Sequence, residues 1–227
     1  MSTAIVVLGA TGKVGRGVVA AAVAAGRPVI AVSRQWRELR KLRDEFPRAE
    51  LAIVRGSVAD DARSARLATA LRALHRPVGA IVVSICGACE RGRVLDGPID
   101  ALRRMLEENV LAHASAARQL LPLLAGAGGT YVLIGGPGGE QPWAGYGHRS
   151  IVSASLRMLA RVLHEEARAL PVRVQLLAID VPLSTDANRA HACEGWPSPE
   201  AIGVRTLQLV DPSEKLPAHA IVRYPGT

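Results

Sequence analysis

Tyr146, His148 and Arg149 lie within four consecutive positions, at the end of a glycine-rich stretch that runs from Gly138 to Gly147. A phenol and an imidazole can give or take a proton, and a guanidinium is a permanent cation with a fork of donors. A phenol ionises near pH ~10, so proton transfer at neutral pH asks for a cation beside it, which Arg149 or a protonated His148 could supply to Tyr146. Asn109 and His113 stand four residues apart, a spacing that puts both on one face of a helix. Cys86 and Cys89 have dithiol spacing, and His191 with Cys193 could complete a four-ligand zinc set. The first pair follows a strand and the second falls in a distant loop, so small residues lining a crevice are the simpler reading and no metal is assigned.

Gly9, Gly12 and Gly15, in Gly9-Ala10-Thr11-Gly12-Lys13-Val14-Gly15, recur at three-residue spacing. They sit where an apolar β-type run, residues 4–8, gives way to an Ala/Val-rich helical stretch ending near Gly26. In that context glycine permits a tight turn and lets backbone N–H groups approach a pyrophosphate, while the helix N-terminus favours the anion. A nucleoside-triphosphatase loop would need glycine at position 7 and Ser or Thr at 14, where the chain has Val7 and Val14. The next apolar run closes on Ser33-Arg34, with no carboxylate to accept from ribose hydroxyls. Arg34, Ser33 and Lys13 suit a 2′-phosphate instead, which makes NADP(H) the expected cofactor.

The elements that must position these residues alternate. Strands are expected at 4–8, 28–32, 50–54, 80–84, 130–134, 172–179 and 220–224. Helices are expected at 36–46, 63–74, 99–124, 150–170 and 199–209. Near-continuous apolar strands alternating with helices predict an α/β fold: a Rossmann-type doubly wound parallel sheet of about seven strands, with helices on both faces. The chain has 227 residues and shows no repeat or linker, so a single dinucleotide-binding domain over 1–227 is expected.

The glycine turn, the strand order and Asn109 within Glu107-Glu108-Asn109-Val110-Leu111 resemble the short-chain dehydrogenase/reductase family over essentially the whole chain. The resemblance implies a cofactor crevice, and it makes Asn109 the helical asparagine of that family's catalytic tetrad. Ser57, followed by Val58, stands where the third strand usually ends in an adenine-contacting Asp. Gly87 is what remains of an Asn-Asn-Ala-Gly strand end. Family members carry a Ser after the fifth strand and Tyr-x-x-x-Lys thirteen residues on. This chain has Gly136, Arg149 and Ser153 at those three places; a shifted register aligns Tyr146 but offers Ser150 for the lysine. An atypical member without the usual Ser, Tyr and Lys is implied. Asp180-Val181-Pro182 replaces the usual Pro-Gly, residues 181–199 have the length of a substrate lid, and Trp143 and Trp196 are candidates to wall the pocket.

The net charge of +8 comes mostly from scattered arginines, and aromatic residues are only 3%, which argues against base stacking and a nucleic-acid partner. No apolar run approaches the ~20 residues that span a bilayer. Three cysteines and the lack of a basic leader fit a cytoplasmic protein. A small-molecule substrate and a homo-oligomer, dimer or tetramer, are expected, because the two long helices are apolar on more than one face. The functional expectation is an NADP(H)-binding oxidoreductase for a small carbonyl or hydroxyl compound, of aromatic or polyketide type, with a non-standard proton relay. A redox-neutral cyclase, isomerase or dehydratase on the same fold, or a non-catalytic NADP(H) sensor, are the alternatives.

Overall fold

A computed structural model describes residues 3–87, 91–126, 128–211 and 219–225. Seven parallel strands form one sheet in the order β3-β2-β1-β4-β5-β6-β7. They are β1 (Ala4–Leu8), β2 (Val29–Ser33), β3 (Leu51–Arg55), β4 (Val78–Val83), β5 (Gly129–Gly135), β6 (Val172–Ala178) and β7 (Ile221–Arg223). Between them run α1 (Lys13–Ala24), α2 (Trp36–Glu45), α3 (Asp61–Arg72), α4 (Ile99–Leu106), α5 (Ala112–Leu120), α6 (Gly147–Glu166) and α7 (Pro199–Val210).

The strands are apolar throughout because both faces are covered. Side chains alternate with period two: Ile5 and Val7 of β1 join the layer holding Val18, Leu39, Leu42 and Ile202 from α1, α2 and α7. Val6 and Leu8 join the opposite layer with Leu67, Ala116, Leu120 and Leu156 from α3, α5 and α6. The helices α1 and α7 touch backbone to backbone: a Cβ on Gly17 would collide with the Pro199 carbonyl, and one on Gly203 with the Gly17 carbonyl.

The helix expected over 99–124 is interrupted. Residues Glu107–Leu111 form a π turn between α4 and α5, and Leu121–Leu123 tighten into a 3-10 turn. Side-chain periodicity cannot reveal such a bulge, since one extra residue per turn disturbs the apolar pattern little. The last helix before β6 begins at Gly147, three residues earlier than expected, which brings His148 and Arg149 into its first turn. That helix also stops four residues early, at Glu166, where Ala167–Ala169 tighten into a 3-10 turn, and the other expected ends lie within a residue or two of those observed, the ordinary uncertainty of boundaries.

Candidate functional site

Strand order reverses direction between β1 and β4, and the crevice outside their carboxyl ends is where doubly wound sheets bind ligands. The glycine turn lies in that crevice. Gly9 has φ +74°, a left-handed conformation that favours glycine, and a Cβ there would strike the Ser84 carbonyl after β4. Gly15 is held equally close, its missing Cβ lying against the Gly9 carbonyl. Gly12 differs: apart from the Gly9 carbonyl at 3.3 Å its Cβ direction is open, and it sits as the exposed N-cap of α1 without a side-chain cap. Two glycines therefore serve the tight turn, and the third leaves the helix N-terminus approachable by an anion. The opening fits a pyrophosphate.

Around the turn, Thr11 Oγ1 and Ser33 Oγ share a hydrogen bond of 2.7 Å, which ties the loop to the end of β2. The Ser33 hydroxyl also accepts from Gln35 N–H at 3.2 Å, so it is largely engaged within the protein. Lys13 and Arg34 are exposed, and neither forms an ion pair among the described residues. Val14 packs half-buried against the core, and the buried Val58 side chain joins the opposite layer. Ser57 accepts from Ala59 N–H at 3.3 Å and, with Arg34, lines an open groove of about 780 Å³ at the ends of β2 and β3.

Asn109 occupies the π turn, buried, with both ends of its amide engaged. Its Nδ2 donates to the Met105 carbonyl at 2.7 Å and its Oδ1 accepts from Gly87 N–H at 3.1 Å. A side chain at position 87 would fall on Glu108, so the glycine lets the loop after β4 settle on the widened turn. Widened helical turns are frequent at functional sites. His113, four residues on, hydrogen-bonds the Asn109 carbonyl through Nδ1 and is wholly buried. Desolvation pushes its pKa down to about 4 despite the carbonyls of Asn109 and Val83. It is a core imidazole beneath the crevice rather than a group within it.

The loop from β5 into α6 gathers the remaining candidates. Arg149 lays its guanidinium over Gly136, in the volume that any side chain at 136 would need. Tyr146 is the N-cap of α6; its ring stacks on Trp143 at 4.3 Å between centroids, and the Arg91 guanidinium lies 5.8 Å from its centre. The segment at Gly92 meets this loop in a single bridge, with Gly92 N–H donating to the Gly145 carbonyl at 2.8 Å. Ser150 and Ser153, the positions that either register would give to a lysine, both bind the loop. Ser150 Oγ accepts from Trp143 N–H at 2.8 Å, and Ser153 Oγ donates to the Pro137 carbonyl at 3.0 Å.

His148 is not joined to Tyr146. Its ring is buried against Gly97, with Cε1 3.6 Å from where a Cβ would stand, and no hydrogen bond links it to the tyrosine among the described residues. A charge network braces the outer rim: Arg157, buried on α6, pairs with Glu140 at 2.9 Å and with Asp180 at the end of β6. Arg223 of β7 pairs with the same two carboxylates and holds the Glu140 carboxyl below the usual carboxylate range. Cys86 is exposed after β4 and Cys193 is exposed on the 181–199 segment, while Cys89 lies outside the described residues. Sequence reasoning passed over Arg91, which approaches Tyr146 only through the pairing of two loops, and over the arginines of β3 and α3.

This arrangement defines a doubly wound α/β domain with its glycine turn, the widened helical turn and the β5–α6 loop around one crevice. Within that class the chain belongs to the short chain dehydrogenase family, whose pattern matches residues 3–192. No curated protein matches it significantly. The fold is shared with a short-chain type dehydrogenase/reductase from Mycobacterium ulcerans, at TM-score 0.88 and 18% identity, covering 99% of this chain and 90% of that one. Serine dehydrogenase from Escherichia coli is similar at TM-score 0.78 and 21% identity, covering 97% and 95%. So is an NADPH-bound short chain oxidoreductase from Pseudomonas aeruginosa PAO1 containing an atypical catalytic center, at TM-score 0.84 and 20% identity, covering 97% and 95%.

Proposed function

We propose that the chain is an NADP(H)-dependent oxidoreductase of a small carbonyl or hydroxyl compound, working without the family's usual serine, tyrosine and lysine. The reading is carried by one observation: the β5–α6 loop presents Tyr146 with Arg91 near its ring and Arg149 across Gly136. Gly9, Thr11, Gly12, Lys13, Val14, Gly15, Ser33, Arg34, Ser57, Val58 and Gly87 form the cofactor side, mostly through backbone. The Pseudomonas neighbour that binds NADPH supports the cofactor assignment. Bound there, the nicotinamide would supply or accept hydride.

The protein's own part is the proton and the orientation. Tyr146 is the group to exchange a proton with the substrate oxygen, and Arg149 is the cation to hold that oxygen as negative charge develops. Asn109 acts as a positioning residue by fixing Gly87 and the loop after β4. His148 has a lesser part, beneath the β4–α4 segment. Segment 181–199 is the lid, and the protein works in the cytoplasm as a homo-oligomer. The redox-neutral alternative draws on the same guanidinium, which can orient an enolate without hydride transfer.

Titration with NADPH and NADH, followed by nicotinamide absorbance against ketones and quinones, tests the reading. Preference for NADPH with turnover, reduced at least ~100-fold by Tyr146→Phe, is expected for a general acid. NADPH binding without oxidation of any substrate would shift the assignment to redox-neutral chemistry or sensing, and failure to bind either nucleotide would remove the cofactor.

A further inference from the structure

Four guanidiniums line the groove at the ends of β2 and β3: Arg34 just beyond β2, Arg55 closing β3, and Arg63 and Arg66 on α3. Ser33 pairs with Arg55 across the two strands, so Arg34 stands one residue beyond that pair, and both arginines line the groove. Arg63 is committed to Asp60, the N-cap of α3. Arg34, Arg55 and Arg66 are exposed and in no ion pair among the described residues, and no carboxylate lines the groove. Asp60 also feels the charge of Arg66, so Arg34 and Arg55 carry the groove's least compensated charge, and like charges around one concavity favour the entry of an anion.

The walls are unequal. Arg66, Leu67 and Ala70 make the α3 side, an apolar surface topped by a planar cation, which suits the flat face of a base. Arg34 and Arg55 make the strand side, where paired forks suit a phosphate. Resting on the reading of the crevice as an NADP(H) site, we propose that Arg55 and Arg66 are specificity residues: Arg55 joins Arg34 on the 2′-phosphate, and Arg66 covers the adenine.

Adenosine 2′,5′-bisphosphate and adenosine 5′-monophosphate, titrated into the full chain by calorimetry, separate the two roles. The wild type is expected to bind the bisphosphate at least ~10-fold more tightly, as charge-assisted bonds to one extra phosphate should give. Arg55→Ala and Arg34→Ala should each collapse that ratio toward one, whereas Arg66→Ala should weaken both ligands by similar factors and keep the ratio. Thermal melts of these exposed-site variants check that they fold. If only Arg34→Ala changes the ratio and Arg66→Ala leaves both affinities at the wild-type level, the inference is wrong and the NADP(H) reading survives. If the wild type binds neither NADPH nor NADH, that reading fails and the inference goes with it.

Discussion

Arg149 takes the volume beside Gly136 where the resemblance would lead one to look for a serine hydroxyl. In the proposed reaction a fixed cation there would stabilise negative charge on substrate oxygen but could not pass a proton. Arg149→Met should therefore lower kcat/KM by roughly 100-fold or more through the transition state. NADPH affinity, read by fluorescence titration, should stay near wild type because the proposed role puts the residue on the substrate side. His113 makes a different prediction. Its folded pKa of about 4 lies below the unfolded value near ~6.5. Between those values the unfolded chain binds the extra proton, so stability falls as pH drops from ~6.5 toward 4 and levels off below. Urea unfolding at pH 7 and pH 5 should show the wild type losing about 2 kcal/mol more than His113→Leu. Equal losses would mean the imidazole protonates without unfolding.

At the scale of elements, the close crossing of α1 and α7 is permitted by two glycines, Gly17 and Gly203, beside the core side chains the two helices share. A Gly→Ala change inside a helix ordinarily adds about 1 kcal/mol of stability. At Gly17 the new methyl would meet the backbone carbonyl of Pro199, which cannot swing away, so overpacking of about 1–3 kcal/mol wins. Gly17→Ala is expected to lower Tm, and a rise in Tm would show that the two helices can separate at little cost. The π turn is the second decisive element. By widening the helix at Glu107–Leu111 it lets Asn109 reach both Met105 and Gly87, and so joins the loop after β4 to the helix.

Across the whole molecule, Ile151, Met158 and Val162 leave an apolar stripe on α6, with Met158 55% exposed, and Ile99 and Leu111 add exposed apolar surface on the neighbouring helical segment. Such a face is expected to be covered by a second copy of the chain. Light scattering should give a dimer or larger assembly, and Met158→Glu should shift it toward monomer; a wild-type monomer at micromolar concentration would end the expectation. No helix among the described residues is long and apolar enough to cross a membrane. The Arg157–Glu140–Asp180–Arg223 network fastens the rim between β5, α6, β6 and β7.

The amino-acid sequence alone determined the parallel α/β architecture, because apolar runs of strand length alternating with amphipathic segments have few other ways to bury themselves. It also determined the glycine turn, since Gly9 and Gly15 answer a local steric demand that neighbouring residues make plain. Tertiary structure decided everything that depends on elements distant in the chain. It placed Arg91 beside Tyr146, buried His148 against Gly97, set Arg149 over Gly136, and drew Arg34, Arg55 and Arg66 around one groove. Local propensity carries no information about which loops meet, and a one-residue helical bulge leaves almost no trace in periodicity. The chemistry proposed for this chain rests on those meetings.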